Sequence, residues 1–315
     1  MNGSLGVWDG ALIALKALTY AGALCAAGAV FFVGYCGSLI TAADRSRIRN
    51  AIWSLSILSI GGGGAQIMVS AGSMSDAVSG MWDGSLLRMI WHAGAGGANA
   101  IRGLGLVIAA LGITRRRAAW WSLIAAVAAA TSFAWTGHAR ALNPGSLPVL
   151  LVSVHLVGVA FWLGALPALG LVARDDASAA AAPVARFGAA ALVVVGVLMA
   201  AGFGLLWILL GDFAELWRSA YGRLVMFKLA FVAALLCVAA FNKLSLTPRL
   251  LAGDARALRA LRTSIRLELL LGALILVATA TLTTITGPPA LGRGSDAAAP
   301  RGLQWPSVSI TSKGV

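Results

Sequence analysis

Eight apolar stretches, separated by short polar breaks, organise the chain. They lie near 11–40, 51–73, 86–112, 118–137, 149–173, 189–211, 223–243 and 265–286. A helix rises about 1.5 Å per residue and a bilayer core is about 30 Å thick, so each stretch is long enough to cross one. The apolar residues run continuously and do not alternate, which argues against a transmembrane β-barrel. The breaks are sharp: Asp44 to Arg49, Ser73 to Asp83, Arg115-Arg116-Arg117, Asn143-Pro144-Gly145, and Lys243 to Arg266, which reads as the longest basic loop. After Gly287-Pro288-Pro289 the chain turns polar. The pattern predicts an all-α polytopic bundle of eight transmembrane helices. Residues 1–140 and 141–290 form two four-helix regions, and 291–315 form a flexible extracytoplasmic tail. The opening residues MNGSLGVWDG carry no basic segment, so no cleaved signal peptide is expected.

Composition excludes other classes. Apolar residues make up 59% of the 315, charged residues 11%, and mean hydropathy is +0.88. Soluble domains carry about 25% charged residues, and disordered chains more. The formal charge is +13. On a soluble protein that excess would suggest nucleic acid. Here it follows the loops. With the N-terminus outside, fourteen basic residues fall on the inner side, among them Arg45, Arg47, Arg49, Arg256 and Arg259, against seven on the outer side. That asymmetry predicts both termini extracytoplasmic and no nucleic-acid partner. Cys25, Cys36 and Cys237 lie in apolar stretches without CxxC spacing, so neither a disulfide nor a thiolate metal site is expected.

Glycines punctuate the second and third stretches, at Gly61 to Gly64 and at Gly94, Gly96 and Gly97. Two readings stand: close helix packing, or a broken helix lining a substrate path. Chemistry concentrates in few residues. The three histidines, His92, His138 and His155, all fall toward the outer face in this topology. Neutral imidazole binds Cu, Zn and Fe, and a polar ring in a span needs a partner. Met89 precedes His92 by three residues and shares its helix face, and its thioether favours Cu(I). Residue chemistry alone leaves the metal soft or borderline. It also leaves open one b-type haem held by two histidines on facing helices. Lys16, Asn99, Arg102, Lys228 and Glu268 are further polar residues within spans. Arg102 and Glu268 are expected to serve structure. No nucleophile–base–acid set and no nucleotide-binding signature stand out, so neither an enzyme nor direct ATP coupling is expected.

A family resemblance sharpens this. The stretch from His155 through Phe161-Trp162-Leu163-Gly164 resembles the HxxxxxFWLG signature of the copper resistance protein D family, and Thr136-Gly137-His138-Ala139 resembles the GHA that precedes it. Tyr221-Gly222-Arg223 with Lys228, Phe241-Asn242-Lys243, Leu246 to Leu250, Arg266-Leu267-Glu268 and Leu282-Thr283-Thr284 are similar to its later blocks. The resemblance covers about 135–290; the first four spans share only hydropathy and span count. It implies a multi-pass protein of the bacterial inner membrane that moves copper, as Cu(I) or Cu(II), in copper homeostasis. The direction expected is from periplasm to cytoplasm, with a periplasmic copper-binding protein as donor. It carries copper ligation to His138 and His155. His92 as third ligand and Met89 as fourth are added from depth and spacing.

Overall fold

The computed structural model describes residues 6–113, 119–136, 146–174 and 176–285. Among them every regular element is helical. Helix α1 spans Val7–Cys36 and α2 spans Ala42–Ser75. The third span is α3 (Gly84–Ile90), a π turn at Trp91–Ala95, and α4 (Gly96–Gly112). Helix α5 (Ala119–Thr131) ends in a 3-10 turn at Ser132–Trp135. The next span is α6 (Ser146–Trp162) with α7 (Leu166–Val172). Helix α8 (Ala177–Leu210) leads through the short α9 (Glu215–Arg218) to α10 (Ala220–Phe241). A second π turn, Asn242–Leu246, leads to α11 (Thr247–Leu251), and α12 (Ala255–Ile285) follows.

Seven of these helical runs are long and apolar enough to cross a membrane, and Trp120–Trp135 forms a shorter apolar helix between the third and the next. The protein is therefore an all-α, multi-pass membrane protein. The expected fourth span coincides with the shorter helix. The triple arginine before it, Gly137 to Gly145 after it, and the tail lie outside the described residues.

The helices outrun the apolar stretches. Asp44 to Arg49, expected as a break, sit inside the first turns of α2. The expected long basic loop from Lys243 to Arg266 is almost entirely helical, with only residues 252–254 between α11 and α12. Hydropathy marks the lipid-embedded part of a helix, whereas the helix itself continues wherever good formers such as Ala, Leu and Arg do. Gly253, at φ 82°, makes the turn, and Asp254 accepts the Arg256 N–H at 2.8 Å to start α12.

Helix α1 is the centre of the bundle, packed by α2, α5, α6 and α12. Its segment Ala23 to Val33 is almost wholly buried except Cys25, and is rich in alanine and glycine, which lets neighbours approach closely. The tightest approach is to α6 and α7. A Cβ on Gly28 would lie 2.2 Å from the Ala160 carbonyl oxygen, and one on Gly164 2.1 Å from that of Leu24.

The glycine stretches resolve differently. Helix α2 runs unbroken through Gly61 to Gly64, where Gly62 faces Thr19 and Gly63 faces Asn99. The third span does break: Gly94 takes φ 101°, ψ −17° inside its π turn. Only glycine adopts that region without strain, so close packing holds for the second span and a broken helix for the third.

Three aspartates start helices. Asp83 accepts from the Ser85 and Leu86 N–H groups, Asp176 from Ser178, and Asp254 from Arg256 beside the Arg249 guanidinium. Hydrogen bonds from the Ser85 and Ser178 side chains and from Arg249, before the backbone ones, hold all three carboxyls below their ordinary value. A carboxyl depressed in the fold contributes stability that is complete above its unfolded pKa, about 3.9, and lost as pH falls through the folded one. Thermal melts of the detergent-solubilised protein should show no contribution from these caps changing between neutral and mildly acidic pH. Their loss should appear only below the ordinary aspartate range.

Candidate functional site

The aromatic half of the His155 motif is packing. Phe161 stacks on Phe187 at 5.7 Å and on Phe31 at 6.5 Å, and Trp162 is buried in the core. Gly164 lies against the α1 backbone. These contacts fix α6 and with it His155, nine residues after the helix start. At 1.5 Å per residue that is about 13 Å below the face on which α1 begins, deeper than the apolar pattern indicated because α6 starts earlier.

His155 points at α8. A methyl group on Gly202 would stand 3.2 Å from its Cε1 and 3.3 Å from its Nδ1. The Nδ1 atom is buried and makes no hydrogen bond of good geometry, although the Leu198 backbone lies beside it. The nearby charge is the Lys228 ammonium of α10. An unpartnered buried ring nitrogen is unusual, since nearly all buried polar atoms are satisfied. A metal ion is one partner that neutral imidazole accepts.

Two of the other expected ligands are carried by a different span. His92 lies in the π turn, exposed, eight residues into its span. Met89 is 48% exposed on α3. Their elements pack on α2 and α4, whereas α6 packs on α1, α5 and α8. The non-helical residue of this turn, Gly94, comes after both, so Met89 and His92 keep their three-residue spacing on helical backbone before the break. His138 lies outside the described residues. Among the described residues no three His, Cys, Asp or Glu side chains gather as a metal-binding group.

A second polar cluster occupies the first half of the chain. Arg102 is 5% exposed, donating to Ser132 Oγ at 3.1 Å and Asn99 Oδ1 at 2.8 Å, with its guanidinium 3.8 Å from the centre of the Phe133 ring. Tyr20 meets the same ring edge-on at 4.7 Å, and Lys16 donates to the Thr283 carbonyl at 3.0 Å. Asp9, seven residues before Lys16, instead accepts from the Gly6 N–H. The cluster joins α1, α4, the 3-10 turn after α5, and α12. Sequence reasoning singled out Lys16, Asn99 and Arg102 but missed Tyr20, Ser132 and Phe133, which carry no mark in the sequence beyond being polar or aromatic within a span.

Comparisons with known proteins agree with this architecture. Residues 7–149 match the family described as copper resistance protein D-like, N-terminal domain, and residues 181–282 match copper resistance protein D. The first match reaches the spans that sequence reading tied to the family only by hydropathy. The chain is 27% identical over 161 residues to the copper transport protein CutJ of Bacillus subtilis (strain 168), an alignment covering 50% of this chain and 28% of that relative. No solved structure gives a significant match. Between them the two family matches cover most of the chain, in order and over the helices just described, and the protein belongs to the copper resistance protein D family.

Proposed function

We infer that the protein takes up copper at the face where α1 begins and passes it across the bacterial inner membrane toward the cytoplasm. The observation that carries this reading is the buried, unpartnered Nδ1 of His155, held within a span by a motif similar to the copper family's. The name of the B. subtilis relative, a copper transport protein, points the same way. His138 and His155 are the proposed imidazole ligands, with His92 third and Met89 a softer sulfur ligand. His92 and His155 stand eight and nine residues into their spans, a similar depth. A periplasmic copper-binding protein is the proposed donor. No observation favours the haem alternative. The direct test is copper uptake by proteoliposomes holding wild type or His155→Ala, with metal analysis of both proteins. Uptake equal in the two, or absent from wild type, would defeat the reading.

The direction depends on orientation, which labelling reads. Val78, 68% exposed between α2 and α3, belongs to the face where α1 begins, and exposed Ser178 at the start of α8 belongs to the other. With the three native cysteines replaced, a membrane-impermeant thiol reagent added to intact cells should label Val78→Cys and spare Ser178→Cys. The reverse pattern would invert the direction.

A further inference from the structure

Glu268 is the only acidic residue of α12, and it is 3% exposed. It lies thirteen residues into the helix, just inside the inner end of the apolar stretch 265–286. The partner the structure gives it is one amide: Asn242 Nδ2 donates to Glu268 Oε1 at 3.1 Å. The other amide atom, Asn242 Oδ1, is buried without any partner. Asn242 opens the second π turn, and its backbone carbonyl accepts the Thr247 hydroxyl at 2.9 Å. Turns of this kind concentrate at functional sites.

The surrounding charges are engaged elsewhere. Lys243 extends its ammonium toward Gly188 of α8. On α11, Arg249 pairs with Asp254 at 2.7 Å. On α12 itself, Arg262 donates to the carbonyls of Ala173 and Arg174, and Arg266 is exposed. On α1, Lys16 is bonded to Thr283 near the far end of α12, and the other titratable side chains along its buried length are Tyr20, Cys25, Tyr35 and Cys36. On α10, Lys228 stands beside His155, Tyr221 and Arg223 lie at the far end, and Cys237 is exposed. Helix α7 carries no titratable side chain.

A lone carboxylate in this setting would leave two faults, a buried charge without a counter-charge and an amide oxygen without a donor. One proton removes both. On the second carboxyl oxygen it neutralises Glu268 and supplies an O–H for Asn242 Oδ1, while Asn242 Nδ2 continues to donate to Oε1. Turning the amide over changes nothing, because its oxygen would then face the carboxyl and again require the proton. We propose that Glu268 and Asn242 form a reciprocal acid–amide pair that binds one exchangeable proton. Taken from hydronium, the proton bonds to a Glu268 carboxyl oxygen and leaves water behind; on release it returns to water and leaves a carboxylate. Resting on copper transport as inferred above, the pair exchanges this proton as copper crosses, which compensates part of the metal's charge.

Infrared spectroscopy of the full chain in lipid vesicles reads the proton directly. Wild type at neutral pH should show a protonated-carboxyl carbonyl band, absent in Glu268→Gln and displaced in Asn242→Leu. Glutamine has the shape of the neutral acid and can donate to Oδ1, so it should fold with a yield within about two-fold of wild type. Glu268→Ala, which strands the Asn242 amide, should lose about ten-fold. No such band in wild type, its survival in Glu268→Gln, or failure of Glu268→Gln to fold would overturn the site. In vesicles containing a pH dye, copper entry should move protons in wild type and not in Glu268→Gln. Copper entry with no proton movement in wild type would overturn the coupling. Absence of copper entry in wild type would defeat transport, while the band would still decide the proton site.

Discussion

His155→Ala will lower copper affinity more than ten-fold, about 1.4 kcal/mol or more, as read by competition with a chelator of known affinity. The reason is the small number of ligands. Only three histidines exist in the chain, and thioethers bind Cu(II) poorly. A site of two or three imidazoles has little left once one is removed. The substitution should leave folding close to wild type, because Nδ1 gives up no hydrogen bond and α6 is held by Phe161, Trp162 and Gly164. Met89→Ala should matter less, and chiefly for Cu(I). Undiminished binding in the His138/His155 double variant, or X-ray absorption without nitrogen around bound copper, would remove histidine from the site.

Gly164→Leu should be the most damaging single substitution to folding. Even a methyl group there would sit 2.1 Å from the Leu24 carbonyl oxygen and 2.5 Å from that of Ala160. Both obstacles are helix backbone and cannot rotate aside. Overpacking a tight core usually costs about 1–3 kcal/mol, and a contact with backbone on both sides belongs at or above the top of that range. Because α1 is the central helix, pushing α6 away loosens the whole bundle. The measurement is the yield of monodisperse protein and its melting temperature in detergent, beside Gly97→Leu. Gly97 has open space around it and should tolerate the change far better. Equal melting temperatures would show that the two helices can separate without penalty.

The spans were readable because lipid exposure demands long apolar runs, a constraint that acts on each segment separately. Helix ends were not, since α2 and α12 continue as basic, alanine-rich helix where hydropathy has already fallen. The site was readable only where a motif carried it. His155 stood out, but Gly202 and Lys228, which face it, come from other spans, and nothing local announces the meeting. Arg102 likewise stood out as a charge in lipid, while the groups that make it tolerable, Ser132 and Phe133, are ordinary residues of the following span. Glycine was legible as a sign of closeness but not of its partner. Gly28 and Gly164 pair across the bundle, whereas the conspicuous run from Gly61 to Gly64 uses only two of its members against neighbours.

The π turn at Trp91–Ala95 sets the angular phase of its span. Each α-helical residue rotates the chain by about 100°, and a π turn spends one extra residue without advancing that rotation in the normal way. Met89 therefore does not continue the angular series to which Asn99 and Arg102 belong. The segment above Gly94 and the body below it choose their azimuths independently. The body keeps Arg102 turned inward to Ser132 while the upper segment turns Met89 outward. Deleting Gly94 alone would shorten the span by about 1.5 Å, but it would swing Met89 and His92 by about 100° relative to Arg102. The orientation of those two side chains is thus stored in one residue that has no side chain of its own.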